Sequence, residues 1–264
     1  MTPDTLEHRA YRALDQVFDP ELDEPVTDLG FVRSLTADGA GRLTVHLRLP
    51  TSFCAPNFAY LMAADAKDVL TALPGVTAVT VLLDDHHDSE TINRGLAADA
   101  GYRGTFGPEA EQDLEELRRT FRRKAHAAAM ERALTRLLRA RPGLSEQALY
   151  GIVLGDLPDD DATRALLRRR AAAGLGVAPT DAVLVDDDGR RPAPAEIPLR
   201  LRRARSTRIS VDGNAHFCRG LLRTRYPDSS ADQAPRAWDA TRPQHSADLP
   251  EAPVCSDSVK ENVS

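Results

Sequence analysis

After the turn Asp38-Gly39-Ala40-Gly41, the side chains Leu43, Val45, Leu47 and Leu49 alternate with Thr44, His46 and Arg48. A period of two buries one face of a strand and wets the other, so this stretch has little choice but to be a half-buried strand. The turn ahead of it pairs it, as a hairpin, with an earlier strand that starts at Leu29-Gly30-Phe31-Val32, and Gly30 there suits a bulge or a close backbone approach. Before the hairpin, Leu6, Ala10, Ala13, Leu14 and Val17 recur at helical spacing, and Asp19-Pro20 stops that helix, because a residue preceding proline avoids the helical region. After it, Pro56 opens a helix that runs to Leu73, with Phe58, Leu61, Met62, Val69, Leu70 and Leu73 on one stripe broken by Asp65. Pro74-Gly75 ends that helix, and Val76, Val79, Val81 and Leu83 read as a third strand. The order α-β-β-α-β implies a small sheet with helices packed on one face, an α+β fold.

The remainder of the 264 residues reads differently. Gly95, Gly101, Gly104 and Gly107 mark residues 91–108 as a linker. A long helix is expected over 109–141, a short one from Ser145 to Leu154, another over 159–173, and a short strand at 209–213. Residues 109–226 thus form a mainly α-helical, arginine-rich domain. Residues 227–264, rich in Ser, Pro, Asp and Ala, with Trp238 and Cys255, read as a disordered tail. Residues 1–100 hold 7 basic and 16 acidic residues, a balance of −9, whereas the other 164 hold 27 and 24, a balance of +3. Such an asymmetry points to two units with different surfaces. Arg118, Arg119, Arg122, Arg123 and Lys124 read as a solvated helix face, and Arg200, Arg202, Arg203, Arg205 and Arg208 as a surface for an acidic partner, the first unit included. The chain is acidic overall and carries no recognised DNA- or RNA-binding module that interleaves aromatics with these arginines, so a nucleic-acid partner is not expected. No apolar run spans a bilayer and no signal core opens the chain, so a membrane is not expected either and a cytosolic setting with reduced thiols is.

Chemistry concentrates at Cys54, in the loop Pro50-Thr51-Ser52-Phe53-Cys54-Ala55-Pro56. A cysteine just ahead of a helix is favoured as a thiolate, which can ligate a soft metal or an iron–sulfur cluster or attack an electrophile. A buried inert thiol is the plain alternative. Thr51 is placed to orient the loop, and Asp19, Glu21 and Asp28 lie in turns, where capping is their ordinary work. Asp84-Asp85-His86-His87-Asp88 is dense in metal donors, although neighbouring residues on a strand face opposite ways, so both histidines can meet one ion only from a loop. If the second and third strands are parallel neighbours, the Cys54 and His86 loops meet at one end of the sheet. Asp186-Asp187-Asp188 lacks the spacing of a calcium loop, and His216-Phe217-Cys218 offers only two donors.

Asp19-Pro20-Glu21, Asp28-Leu29-Gly30-Phe31-Val32, Thr51-Ser52-Phe53-Cys54-Ala55-Pro56 and Leu73-Pro74-Gly75-Val76, in this order and at these gaps, resemble the SufT/PaaD-like iron–sulfur assembly domain over about residues 6–90. The resemblance implies a compact α+β domain that assembles or delivers iron–sulfur clusters. It maps the family's cysteine onto Cys54 and its acidic turn residues onto Asp19, Glu21 and Asp28, and it leaves Phe53 where members often carry a small residue. The function expected is an assembly or transfer factor. Cys54 holds iron or a cluster transiently, with His86 and His87 as further metal donors, and the helical unit docks a client metalloenzyme. The partners expected are that client and the assembly machinery. Since one thiolate cannot satisfy a cluster that takes four, a homodimer, the client or non-cysteine groups must supply the rest. Two rivals are a metal-independent adaptor and a thiol enzyme in which His86 or His87 acts as base on Cys54.

Overall fold

The structure, a computed structural model, describes residues 5–110 and 114–229. Helix α1 (Leu6–Ala13) is capped by the Thr5 hydroxyl, which accepts the His8 amide at 3.3 Å, and a 3-10 turn (Leu14–Gln16) ends it. Two short strands, β1 (Phe18–Asp19) and β2 (Glu24–Pro25), pair antiparallel and frame the acidic turn. The hairpin follows as β3 (Val32–Ala37) and β4 (Arg42–Arg48), then α2 (Pro56–Thr71) and β5 (Ala78–Asp84). The sheet order is β3-β4-β5, with β3 antiparallel and β5 parallel to β4. The expected α-β-β-α-β order is therefore the one observed, and the alternation along β4 holds: Leu43, Val45 and Leu47 are buried. Gly30, at φ 74°, takes a left-handed conformation, and the register of β3 on β4 shifts between Val32 and Ser34, the irregularity that glycine foreshadows.

The glycine-rich stretch 91–108 is folded rather than a linker. It carries α3 (Ser89–Ala97) and α4 (Gly101–Phe106), and Ile92 and Leu96 belong to the first unit's core. Gly95 is there for packing: a β-carbon on it would stand 2.1 Å from Thr105 Oγ1, so the glycine lets the two helices meet. Tyr60, Tyr102 and Phe106 stack behind that contact at 5.1–6.0 Å between ring centres.

The second unit is built on α5 (Leu114–Ala140), α6 (Asp161–Ala172) and α7 (Ile197–Arg225). The short helix expected at 145–154 is two 3-10 turns, Gln147–Gly151 and Leu154–Asp156. The strand expected at 209–213 does not form. Those residues lie inside the 29-residue α7, whose Ile197, Leu201, Ala204, Val211, Ala215, Cys218 and Leu222 recur at three- and four-residue steps, except for two turns between Ala204 and Val211 where Arg208 takes the intervening place. This stripe spans two cores. Ile197, Leu201 and Ala204 pack with Ala133, Leu137 and Leu166, while Ala215 and Leu222 are buried in the core of the first unit.

Charge joins the units, but through arginines other than those expected. Arg205 and Arg208 turn inward onto Glu131, which is 2% exposed, so their segment neutralises a buried carboxylate of its own unit. The acidic first unit is instead met by Arg118 on Asp65, by Arg169 on Asp23 at 2.9 Å and by Arg219 on Glu24. Asp65, the interruption in the α2 stripe, is thus an interface residue. Residues 227–229, the start of the expected tail, are described and close a turn on Tyr226. The rest of that tail, Trp238 and Cys255 included, lies outside the described residues.

Candidate functional site

Parallel pairing aligns Arg48 with Asp84 at the C-terminal ends of β4 and β5, so the loops that leave these strands emerge side by side. One carries Cys54 and the other His86, the meeting that a parallel arrangement predicts. The His87 amide donates to the Ser52 carbonyl at 2.9 Å, and His86 Nε2 lies 2.8 Å from the Cys54 carbonyl oxygen. The other ring nitrogen of His86, Nδ1, accepts the Asp88 amide at 3.0 Å. An accepting Nδ1 carries no proton, so Nε2 carries it and donates to Cys54. With both nitrogens engaged and the ring 5% exposed, His86 braces the cysteine loop and has no lone pair left for a metal. His87 is exposed, its ring 6.1 Å from that of Phe53. Asn93 fixes the root of this second loop by bracketing Leu83, accepting its amide at 2.8 Å and donating to its carbonyl at 3.1 Å.

Cys54 is half-buried, and its sulfur lies 3.4 Å from the Thr51 hydroxyl. Thr51 Oγ1 also accepts the Phe53 amide at 3.2 Å, which leaves its proton free to point at the sulfur. Phe53 is 80% exposed and its backbone is not left-handed, so a large residue fits where a small one is frequent in the family it resembles. Helix α2 starts directly after, with Pro56 in its first turn and no side chain capping it.

The acidic turn residues divide. Asp19 Oδ1 accepts the amides of Glu21 and Leu22, both at 2.8 Å, and burial pushes its carboxyl up to about 6 against the pull of those two donors. Glu21 is exposed and accepts from Asn214 Nδ2 at 3.0 Å. Asp28 lies elsewhere. Its charge is felt by Tyr11 of α1, and its own carboxyl is raised by burial and by Asp15.

One residue of this neighbourhood carries little weight in the sequence, where His216-Phe217-Cys218 offers only two donors. Cys218 of α7 is half-buried against the same core as Cys54. Burial, followed by the charges of Asp19, Cys54 and Glu21, pushes its thiol up to about 12. The signal was its place on the stripe from Ile197 to Leu222, hidden by the expectation of a strand at 209–213. His216, its partner in the His-x-Cys pair, is exposed. Among the described residues, no three His, Cys, Asp or Glu side chains converge as a metal-holding group, and no helix is long and apolar enough to cross a membrane.

Residues 7–81 match the model of a family described as iron–sulfur cluster assembly protein. An uncharacterized protein of Methanocaldococcus jannaschii is 31% identical over 84 residues, which cover 32% of this chain and 86% of that relative. The chain belongs to the iron–sulfur cluster assembly protein family. It is also 32% identical over 90 residues to the iron–sulfur cluster carrier protein of Mycobacterium leprae, which is 33% of this chain and 23% of the carrier, so the chain spans about a quarter of that relative's length. A solved domain of unknown function, DUF59, from Bacillus anthracis is 28% identical, with a TM-score of 0.28 over 37% of this chain and 93% of that one. The iron–sulfur assembly match stops at residue 81. It takes in the Cys54 loop but neither the His86 brace nor helix α7.

Proposed function

We propose that this chain takes up iron or an iron–sulfur cluster as cargo and passes it on, with Cys54 as the thiolate that holds it and the helical unit as the part that docks a client metalloenzyme. Membership of the assembly family supports the coarse role. The observation that carries the finer one is the setting of Cys54: the residue is half-buried in the loop ahead of α2, and the Thr51 hydroxyl lies 3.4 Å from its sulfur. A thiol poised this way fits a soft, exchangeable cargo.

The enzyme reading needs a histidine at the sulfur. His86 reaches Cys54 at its carbonyl oxygen instead, with its second nitrogen spent on Asp88. The adaptor reading needs no accessible thiol and leaves the Thr51 contact without a purpose. Transfer tests the proposal. The full chain is loaded anaerobically with iron and sulfide, and an apo iron–sulfur acceptor is then added. The wild type is expected to restore the acceptor's visible spectrum, and Cys54→Ser is not. A Cys54→Ser protein that transfers as well as the wild type overturns the proposal.

A further inference from the structure

We propose that Cys218 is the second thiolate of the cargo site, brought to Cys54 by helix α7, so that one chain offers a two-sulfur half-site to a soft metal ion or to one edge of a cluster. The inference rests on the reading of Cys54 as the cargo-holding thiolate and adds a ligand to it.

The case starts from how α7 is anchored. Its Ala215 and Leu222 are buried in the assembly domain's core, and Cys218 lies between them on the same stripe, one helical turn from each. Polar contacts pin the helix on either side of the cysteine. Ahead of it, Asn214 donates to Glu21 at 3.0 Å. Beyond it, Arg219 pairs with Glu24, Arg225 donates to the Leu49 carbonyl at 3.3 Å and to that of Asp85, and the Tyr226 hydroxyl donates to Asp85 at 2.9 Å. Leu49 and Asp85 open the two loops that carry Cys54 and His86, so α7 crosses the mouth of the site. Both cysteines are free thiols, half-buried against one core.

Each thiol gives up its proton to solvent as its sulfur–metal bond forms, and no electron moves. Two thiolates also improve the arithmetic of a cluster. The usual cluster takes four cysteines, two sulfurs per chain leave two positions open, and those are the positions an acceptor needs to enter during handover.

The test uses the full chain under anaerobic conditions, with cobalt(II) alone as the probe. Thiolate-to-cobalt charge-transfer absorption counts sulfur ligands. The wild type is expected to show the band of two thiolates, Cys218→Ser about half of it, and the Cys54→Ser/Cys218→Ser double variant none. Outer-shell partners alone are worth roughly 10–100-fold in metal affinity, so losing this ligand should weaken binding at least about tenfold. Cobalt should also protect both Cys54 and Cys218 of the wild type from alkylation, which needs no variant to fold. Full intensity in Cys218→Ser, or protection of Cys54 alone, overturns the inference and leaves the Cys54 reading standing. A Cys54→Ser protein that keeps the wild-type band overturns that reading, and the half-site with it.

Discussion

His126 of α5 sets a pH dependence that can be worked out in advance. Its side chain is 2% exposed, and its Nε2 finds no hydrogen-bond partner among the described residues. Burial, and secondarily the Arg170 guanidinium, push its pKa from 6.5 down to about 4. Above pH 6.5 neither the folded nor the unfolded chain binds a proton here. Between 6.5 and 4 the unfolded chain binds one and the folded chain does not, so stability falls as pH falls. At 1.36 kcal/mol per unit, the loss reaches about 3 kcal/mol by pH 4. His126→Leu removes both the titration and the orphan nitrogen. Urea unfolding of the full chain, followed by circular dichroism, should show the variant gaining about 3 kcal/mol on the wild type between pH 7 and pH 4 at an unchanged urea slope. A gap that stays constant over that range would refute the reasoning, because it would mean that the ring is charged in the folded state or exposed to water.

Other expectations follow from the same contacts. Arg169→Ala strands the buried Asp23 carboxylate and should cost about 3 kcal/mol, whereas Arg164→Ala, whose partners Asp159 and Asp161 are exposed, should leave the urea midpoint essentially where it is. His86→Ala removes the bond to the Cys54 carbonyl, so the loop should loosen and Cys54 should alkylate several-fold faster by mass spectrometry; an unchanged rate would deny His86 its bracing part. Arg225→Ala combined with Tyr226→Phe frees the end of α7 from the Leu49 and Asp85 loops, and alkylation of Cys218 should accelerate. If the half-site holds a cluster in a solution of this chain alone, the loaded protein should sediment as a dimer, since four thiolates require two copies.

Much of the site was legible because its chemistry is local. The alternation along Leu43–Leu49, the proline that starts α2 and the turn residues around Asp19 each follow from near neighbours, and the family's motifs keep them in order. That Cys54 and His86 meet was also legible, given the one assumption of parallel strands. How His86 spends its nitrogens was not, because that depends on a backbone amide and a carbonyl that only the fold brings to it. The larger misreadings share a cause. Gly95 and its neighbours signal a loop locally but serve a helix crossing against Thr105, and Ile209 to Gly213 favour a strand locally but are held helical by burial of the α7 stripe at both ends. In the sequence Cys218 is one of only two donors in His216-Phe217-Cys218, and its meaning lies in a stripe that becomes visible once the whole of 197–225 is one helix.

X-ray absorption at the iron edge of the anaerobically loaded full chain probes the atom on which everything rests. With iron(II) loaded in the absence of sulfide, a sulfur shell around iron, reduced in Cys54→Ser and in Cys218→Ser and lost when both are changed, is the result expected. Iron surrounded by oxygen and nitrogen alone in the wild type would contradict the account.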